Sequence, residues 1–173
     1  MIKNAVILPT GDEIRSGIVQ DTDSSEAMRL LIKLNPEIEV TRKAPINDDE
    51  DSIKTAVENA SQKADLIVLI GGSGGGHRYS DTLSKDFTHT ALEKALDKSV
   101  NSCLFGKNGH LWCKLVCGYI NNTLVINLPG PFVEAKVAME AFCASVKEND
   151  INIINKAMAE AVLKEYPLGA VIK

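Results

Sequence analysis

Asp65-Leu66-Ile67-Val68-Leu69-Ile70-Gly71-Gly72-Ser73-Gly74-Gly75-Gly76-His77-Arg78-Tyr79-Ser80-Asp81-Thr82 is the stretch from which the fold is read. An unbroken apolar run between a charged residue and a glycine cluster predicts a strand buried on both faces, the habit of a parallel sheet covered by helices. The carboxyl edge of such a sheet is where open α/β folds bind ligands. Glycines at that edge let the backbone take positive φ and bring amide hydrogens close to an anion.

Outward from this run, short apolar segments alternate with helical patterns. Ala5 to Leu8 predicts a first strand, and Ala27, Leu30, Leu31 and Leu34 recur at the i, i+3, i+4, i+7 spacing of a helix that ends at Pro36. Ile38 and Val40 predict a second strand, and Ile53, Val57, Ala60 and Ala64 a second helix. Behind the glycines, Leu83, Phe87, Ala91 and Ala95 predict a third helix. The alternation implies βαβ units with right-handed crossovers. Ser102 to Phe105, Leu111 to Ile120 and Thr123 to Ile126 then read as strands, the last two joined through Asn121-Asn122 as an antiparallel hairpin. Two closing helices carry Val137, Ala138, Ala141 and Phe142, then Ile153, Ile154, Ala157, Met158, Ala161 and Val162. The expected fold is a three-layer α/β/α sandwich on a mainly parallel sheet, one domain over residues 1–173.

Composition narrows the function classes. A chain of 173 residues, 45% apolar and with a formal charge of -4, can bury one sizeable core. Mild acidity without a basic tract argues against nucleic acid or an anionic membrane as principal partner. No apolar run approaches the roughly 20 residues a bilayer span needs, and no secretory leader is read at the start, so a cytoplasmic protein is expected. Cys103, Cys113, Cys117 and Cys143 fit neither a zinc spacing nor a redox pair. On one strand, Cys113 and Cys117 would stand about 13 Å apart, too far for a disulfide.

Three loops fall at carboxyl ends of predicted strands: Pro9-Thr10-Gly11-Asp12-Glu13, the Gly71 to Thr82 segment, and Leu128-Pro129-Gly130-Pro131. In a doubly wound sheet they converge on one edge and make a composite site. Standard phosphate motifs fail. Gly71 and Gly76 have Walker spacing, but His77 and Arg78 follow instead of Lys and Ser or Thr; from Gly72 and Gly74 the third position of a dinucleotide fingerprint is His77. A glycine-rich anion cradle remains, with a ligand-free surface loop as the alternative.

Thr10-Gly11-Asp12-Glu13, with Gly17 and Asp21-Thr22-Asp23-Ser24 after it, resembles the opening of the molybdopterin-binding domain family of molybdenum-cofactor biosynthesis. Asp65-Leu66-Ile67 leading to Gly71-Gly72-Ser73-Gly74 resembles that family's second motif, and Val125-Ile126-Asn127-Leu128-Pro129-Gly130 its third. The resemblance covers about residues 3 to 146. It implies a three-layer domain, trimeric when it stands alone, that binds the pterin dithiolene phosphate. One group of members adenylylates molybdopterin with magnesium and ATP; another uses the adenylylated pterin for metal insertion. The size resembles the stand-alone adenylyltransferases, whereas Thr-Gly-Asp-Glu looks closer to the metal-insertion and competence-damage-inducible proteins.

On this resemblance Asp12 and Asp81 are candidate catalytic, magnesium-binding carboxylates, with helix capping the alternative for each. Thr10, Gly11, Leu128, Pro129 and Gly130 line the ligand, and Gly71, Gly72, Ser73, Gly74 and Gly75 offer it amides. Asp21 binds pterin amino groups or caps the helix at Ser24. The partner expected is a small pterin phosphate. The chain departs from the family pattern at Tyr79, where the acid after the glycine motif is expected, at Asp23 and at Pro131-Phe132. Two other readings stand beside this one: a non-catalytic pterin- or nucleotide-binding module of the same fold, and an unrelated doubly wound enzyme acting on a phosphorylated metabolite.

Overall fold

Strand order explains how the chain brings three loops to one sheet edge. The computed structural model describes residues 2–75 and 86–173. Its elements run β1 (Asn4–Pro9), α1 (Asp12–Arg15), α2 (Asp23–Leu34), β2 (Glu39–Arg42), α3 (Glu50–Ser61), β3 (Leu66–Ile70), α4 (Thr88–Ala95), β4 (Lys98–Phe105), β5 (Leu111–Ile120), β6 (Thr123–Leu128), α5 (Phe132–Ser145), α6 (Ile151–Lys164) and β7 (Val171–Ile172). They form a seven-stranded sheet ordered β2-β1-β3-β6-β5-β4-β7. The four strands from β2 to β6 pair in parallel. β5, β4 and β7 continue the sheet antiparallel, so the antiparallel part reaches well beyond the expected hairpin.

Side chains of a strand alternate between faces, and the core divides accordingly. Ala5, Ile7, Leu66, Val68, Ile70, Leu124, Ile126 and Leu128 pack with buried residues of α2, α5 and α6. Leu8, Ile67, Leu69, Val116 and Val125 pack on the other face against Ile53 and Val57 of α3 and Ala91 and Leu92 of α4. All five residues of β3 are buried. These are the three layers the alternation predicts.

Local chemistry sets the element ends. Asp49 caps α3 by accepting the Ser52 amide at 2.8 Å, and Asp150 caps α6 through Asn152 at 2.8 Å. Asn35, extended at φ -142, ends α2 before Pro36. The β5–β6 hairpin turns at Asn121, whose φ of 52 Asn tolerates.

Three expectations are adjusted. β4 begins at Lys98 rather than Ser102, because Lys98, Ser99 and Asn101 are exposed polar residues and Val100 is the one apolar side chain among them. Ala64 lies buried beyond the end of α3, and Phe87 flanks α4 rather than belonging to it. Leu83, the predicted start of that helix, lies outside the described residues. Among the described residues no helix is long and apolar enough to cross a membrane.

Candidate functional site

Parallel register brings Pro9, Ile70 and Leu128 level with one another across β1, β3 and β6. The three predicted loops therefore leave the sheet side by side, and they are tied together. The Thr10 amide donates to the Ile70 carbonyl at 2.8 Å, and the Gly71 amide to Leu128 at 3.1 Å. Thr10 Oγ1 donates to the same Ile70 carbonyl at 3.1 Å and lies 3.1 Å from Thr88 Oγ1 at the start of α4. The Thr88 amide returns to the Gly72 carbonyl at 3.1 Å.

Two glycines are demanded by this crowding. Gly71 sits at φ 97, and a Cβ there would lie 2.7 Å from the Thr10 carbonyl oxygen; Gly72 sits at φ 60, with Thr88 Oγ1 and Cβ filling the space a side chain would need.

Ser73 is wedged into the sheet. Its carbonyl accepts the Lys114 amide of β5 at 2.7 Å, a bond a neighbouring strand would otherwise take. Beside it, Asn127 completes the backbone bonding with its side chain: Nδ2 donates to Ser73 Oγ at 2.7 Å and to the Lys114 carbonyl at 2.9 Å, while Oδ1 accepts the Val116 amide at 2.6 Å. Ser73 Oγ donates in turn to the Leu128 carbonyl at 3.0 Å. Asn127 is fully buried, so every polar atom of its amide needs such partners.

On the β1 side the rim is acidic. Asp12 and Asp48 exchange bonds: the Asp12 amide donates to Asp48 Oδ2 at 3.1 Å, and the Asp48 amide to Asp12 Oδ1 at 3.2 Å. Asp48 is 7% exposed. Burial pushes its carboxyl up to about 6, and the negative charges of Glu13, Asp12 and Asp86 act in the same direction. Glu13 folds over Gly11, and its Oε2 is buried without a hydrogen-bond partner among the described residues. Those residues hold no group of three or more His, Cys, Asp or Glu side chains placed for a metal ion.

The candidate residues thus fall into sets. Thr10, Gly11, Asp12, Gly71, Gly72, Ser73, Gly74, Gly75, Leu128, Pro129 and Gly130 lie on or beside this one rim. The amides of Gly71 and Gly74 are already engaged, with Leu128 and with Asp86 Oδ1 at 3.0 Å, so of the five expected amide donors these two are committed internally. Asp21 accepts the Ser24 amide at 3.0 Å and receives Nε and Nη2 of Arg42 at 2.9 and 2.7 Å. Burial pushes its carboxyl up, but the bonds from Ser24 and Arg42 outweigh burial and hold it below its ordinary value. Asp81, His77, Arg78 and Tyr79 lie outside the described residues. Trp112 packs edge-to-face on Tyr166, ring centroids 5.0 Å apart, and fills the space beside Gly106.

Sequence reading gave no role of their own to Asp48 or to Asn127, the latter quoted only as part of the third motif. Asp48 hides in Asp48-Asp49-Glu50-Asp51, which reads as a capped, solvated helix start. The usable signal was one acid more than a cap requires. Its burial comes from the Thr10–Ile46 bridge and the Gly11 amide bond to Ile46 at 3.0 Å, both long-range.

Residues 6–148 match the family described as "Probable molybdopterin binding domain". The chain belongs to the molybdopterin-binding domain family. A CinA-like protein of Anaeromyxobacter dehalogenans is 41% identical over 68 residues, 39% of this chain and 16% of that protein, so the chain spans only a small share of this relative's length. Among solved structures, the molybdopterin biosynthesis enzyme MoaB of Thermus thermophilus superposes with a TM-score of 0.68 at 24% identity, covering 90% of this chain and 98% of that one. CinA of Thermoplasma acidophilum superposes with a TM-score of 0.61 at 20% identity, covering 85% and 97%. At these identities the superpositions establish a shared fold. The family match adds a molybdopterin-binding domain.

Proposed function

We propose that this rim binds molybdopterin through its phosphate and serves molybdenum-cofactor assembly, either by adenylyl transfer from MgATP or in the linked metal-insertion step. The observation that carries the reading is the convergence of the Thr10, Gly71 and Leu128 loops, locked by Ser73 and Asn127, in a chain of the molybdopterin-binding family. In adenylyl transfer a pterin phosphate oxygen attacks the α-phosphorus of ATP, the new P–O bond forms and pyrophosphate leaves. Positioning and charge neutralisation suffice for such a step. The glycine backbone positions the acceptor phosphate, and Thr10 fixes the backbone beneath it.

The acidic corner fits a hard cation. Asp12 and Asp48 would supply the one or two carboxylates magnesium usually takes from protein, and an ion there would offset the charge crowded around Glu13 Oε2 and Asp48. Magnesium so held would neutralise charge on the transferring phosphates. Asp81 remains a proposed third carboxylate. Assembly as a homotrimer belongs to the same reading, and Phe132 and Val133, 44% and 54% exposed beside the Leu128 loop, offer apolar contact surface. Light scattering of the purified chain tests it.

A second reading is a pterin- or nucleotide-binding module of the same fold without turnover. Calorimetric titration with molybdopterin, ATP and adenylylated pterin, with and without magnesium, ranks the ligands. ATP-dependent appearance of adenylylated pterin, abolished by Asp12→Asn or Asp48→Asn, supports the enzyme. Binding of pterin or of ATP without product supports the module, and absence of binding to all three ligands overturns both.

A further inference from the structure

Gly74 is gripped at both ends by residues at the entry to α4. Its amide donates to Asp86 Oδ1 at 3.0 Å, and its carbonyl oxygen lies 3.1 Å from Nε2 of His89. A carbonyl can only accept, so Nε2 carries the proton and Nδ1 of the neutral ring is an acceptor. His89 is 9% exposed, and Nδ1 has no hydrogen-bond partner among the described residues. Burial lowers the ring's proton affinity and the Lys114 ammonium adds to this, outweighing the bond to the Gly74 carbonyl and the charges of Glu93 and Asp86. A buried nitrogen without a partner costs stability that an apolar side chain would not. What histidine supplies here, and leucine could not, is an N–H aimed at Gly74.

The grip falls where the loop leaves its anchors. Ser73 is held by Asn127, Leu128 and Lys114, whereas beyond it Gly75 runs so close to the Leu111 carbonyl that a Cβ would lie 2.6 Å away. We propose that His89 is a positioning residue for the ligand rim: its Nε2–H sets the Gly74 peptide, and with it the adjoining backbone that receives an anionic, phosphate-bearing ligand. The inference rests on the pterin-phosphate reading for the identity of that ligand.

Three variants of the full chain test it. Glutamine places an amide donor at the reach of Nε2; asparagine places it near Nδ1, and leucine removes it. Exchange of the Gly74 and Gly75 amides, measured by NMR, should quicken about tenfold in His89→Leu and His89→Asn, the scale of one lost hydrogen bond. Calorimetric affinity for molybdopterin should fall by about the same factor. His89→Gln should return both to near the wild-type values. The Gln and Asn variants suffice if leucine does not fold. Unchanged exchange in His89→Asn, or His89→Gln exchanging as fast as His89→Asn, overturns the proposal. If the wild-type chain binds no molybdopterin, the functional reading fails, and the exchange comparison alone still decides the role of His89.

Discussion

Asn127 Nδ2 lies 2.7 Å from Ser73 Oγ, inside the sheet, and this bond joins the glycine loop to the β5–β6 seam. Replacing Asn127 with leucine of similar bulk should leave the Val116 amide and the Lys114 carbonyl without partners. Each buried orphan costs about 1–3 kcal/mol. Urea unfolding should show a loss of about 3–5 kcal/mol. A loss below about 1 kcal/mol would mean that water enters the seam.

Gly72→Ala should destabilise by about 1–3 kcal/mol, since alanine must take φ 60 against Thr88. Adding Thr88→Ala should recover part of that loss by clearing the space while leaving the backbone penalty. A double mutant no better than Gly72→Ala would show that φ alone sets the cost.

Acidity should act on Asp48 and His89 in opposite directions. Folded Asp48 keeps its proton up to about 6, whereas the unfolded carboxyl releases it near 3.8. Between those values the native state binds more protons, so stability falls as pH rises, and at pH 7 the full cost remains. Asp48→Asn, whose Oδ1 can still accept the Asp12 amide, should raise the urea midpoint at pH 7 and change it little below pH 3.8.

Folded His89 resists the proton that the unfolded chain accepts near 6.5. Below that value the unfolded state binds more protons, so stability falls on acidification. His89→Gln should flatten this part of the pH–stability curve. A wild-type curve with the same slope as the variant's would remove histidine from the account.

Burial pushes the Cys117 thiol up to about 12 and that of Cys143 up to about 11. The thiolate is the reactive form. At pH 8 the native protein should leave Cys117 unlabelled by iodoacetamide over hours, as peptide mass analysis would show. Labelling should follow addition of urea.

Much of the fold was legible because burial leaves periodic marks. β3 is buried throughout and reads as an unbroken apolar run, while Ala27, Leu30 and Leu31 of α2 keep helical spacing. β7 has two residues, one exposed and one half-buried, too short to show a period. The rim was legible as three loops because their position follows from strand topology. Its chemistry was less so. Asp48, His89 and Asn127 are polar residues whose roles depend on neighbours distant in sequence, and no local pattern distinguishes a buried Asn completing a seam from an exposed one in a turn.

The Ser73 wedge means that the glycine-loop corner has no hinge of its own. Lys114 gives its amide to the loop rather than to another strand, so loosening the loop frees that amide while β4 still holds β5 on its other side. A ligand on the rim should therefore be felt as slower exchange at the Lys114 and Val116 amides, within the sheet itself.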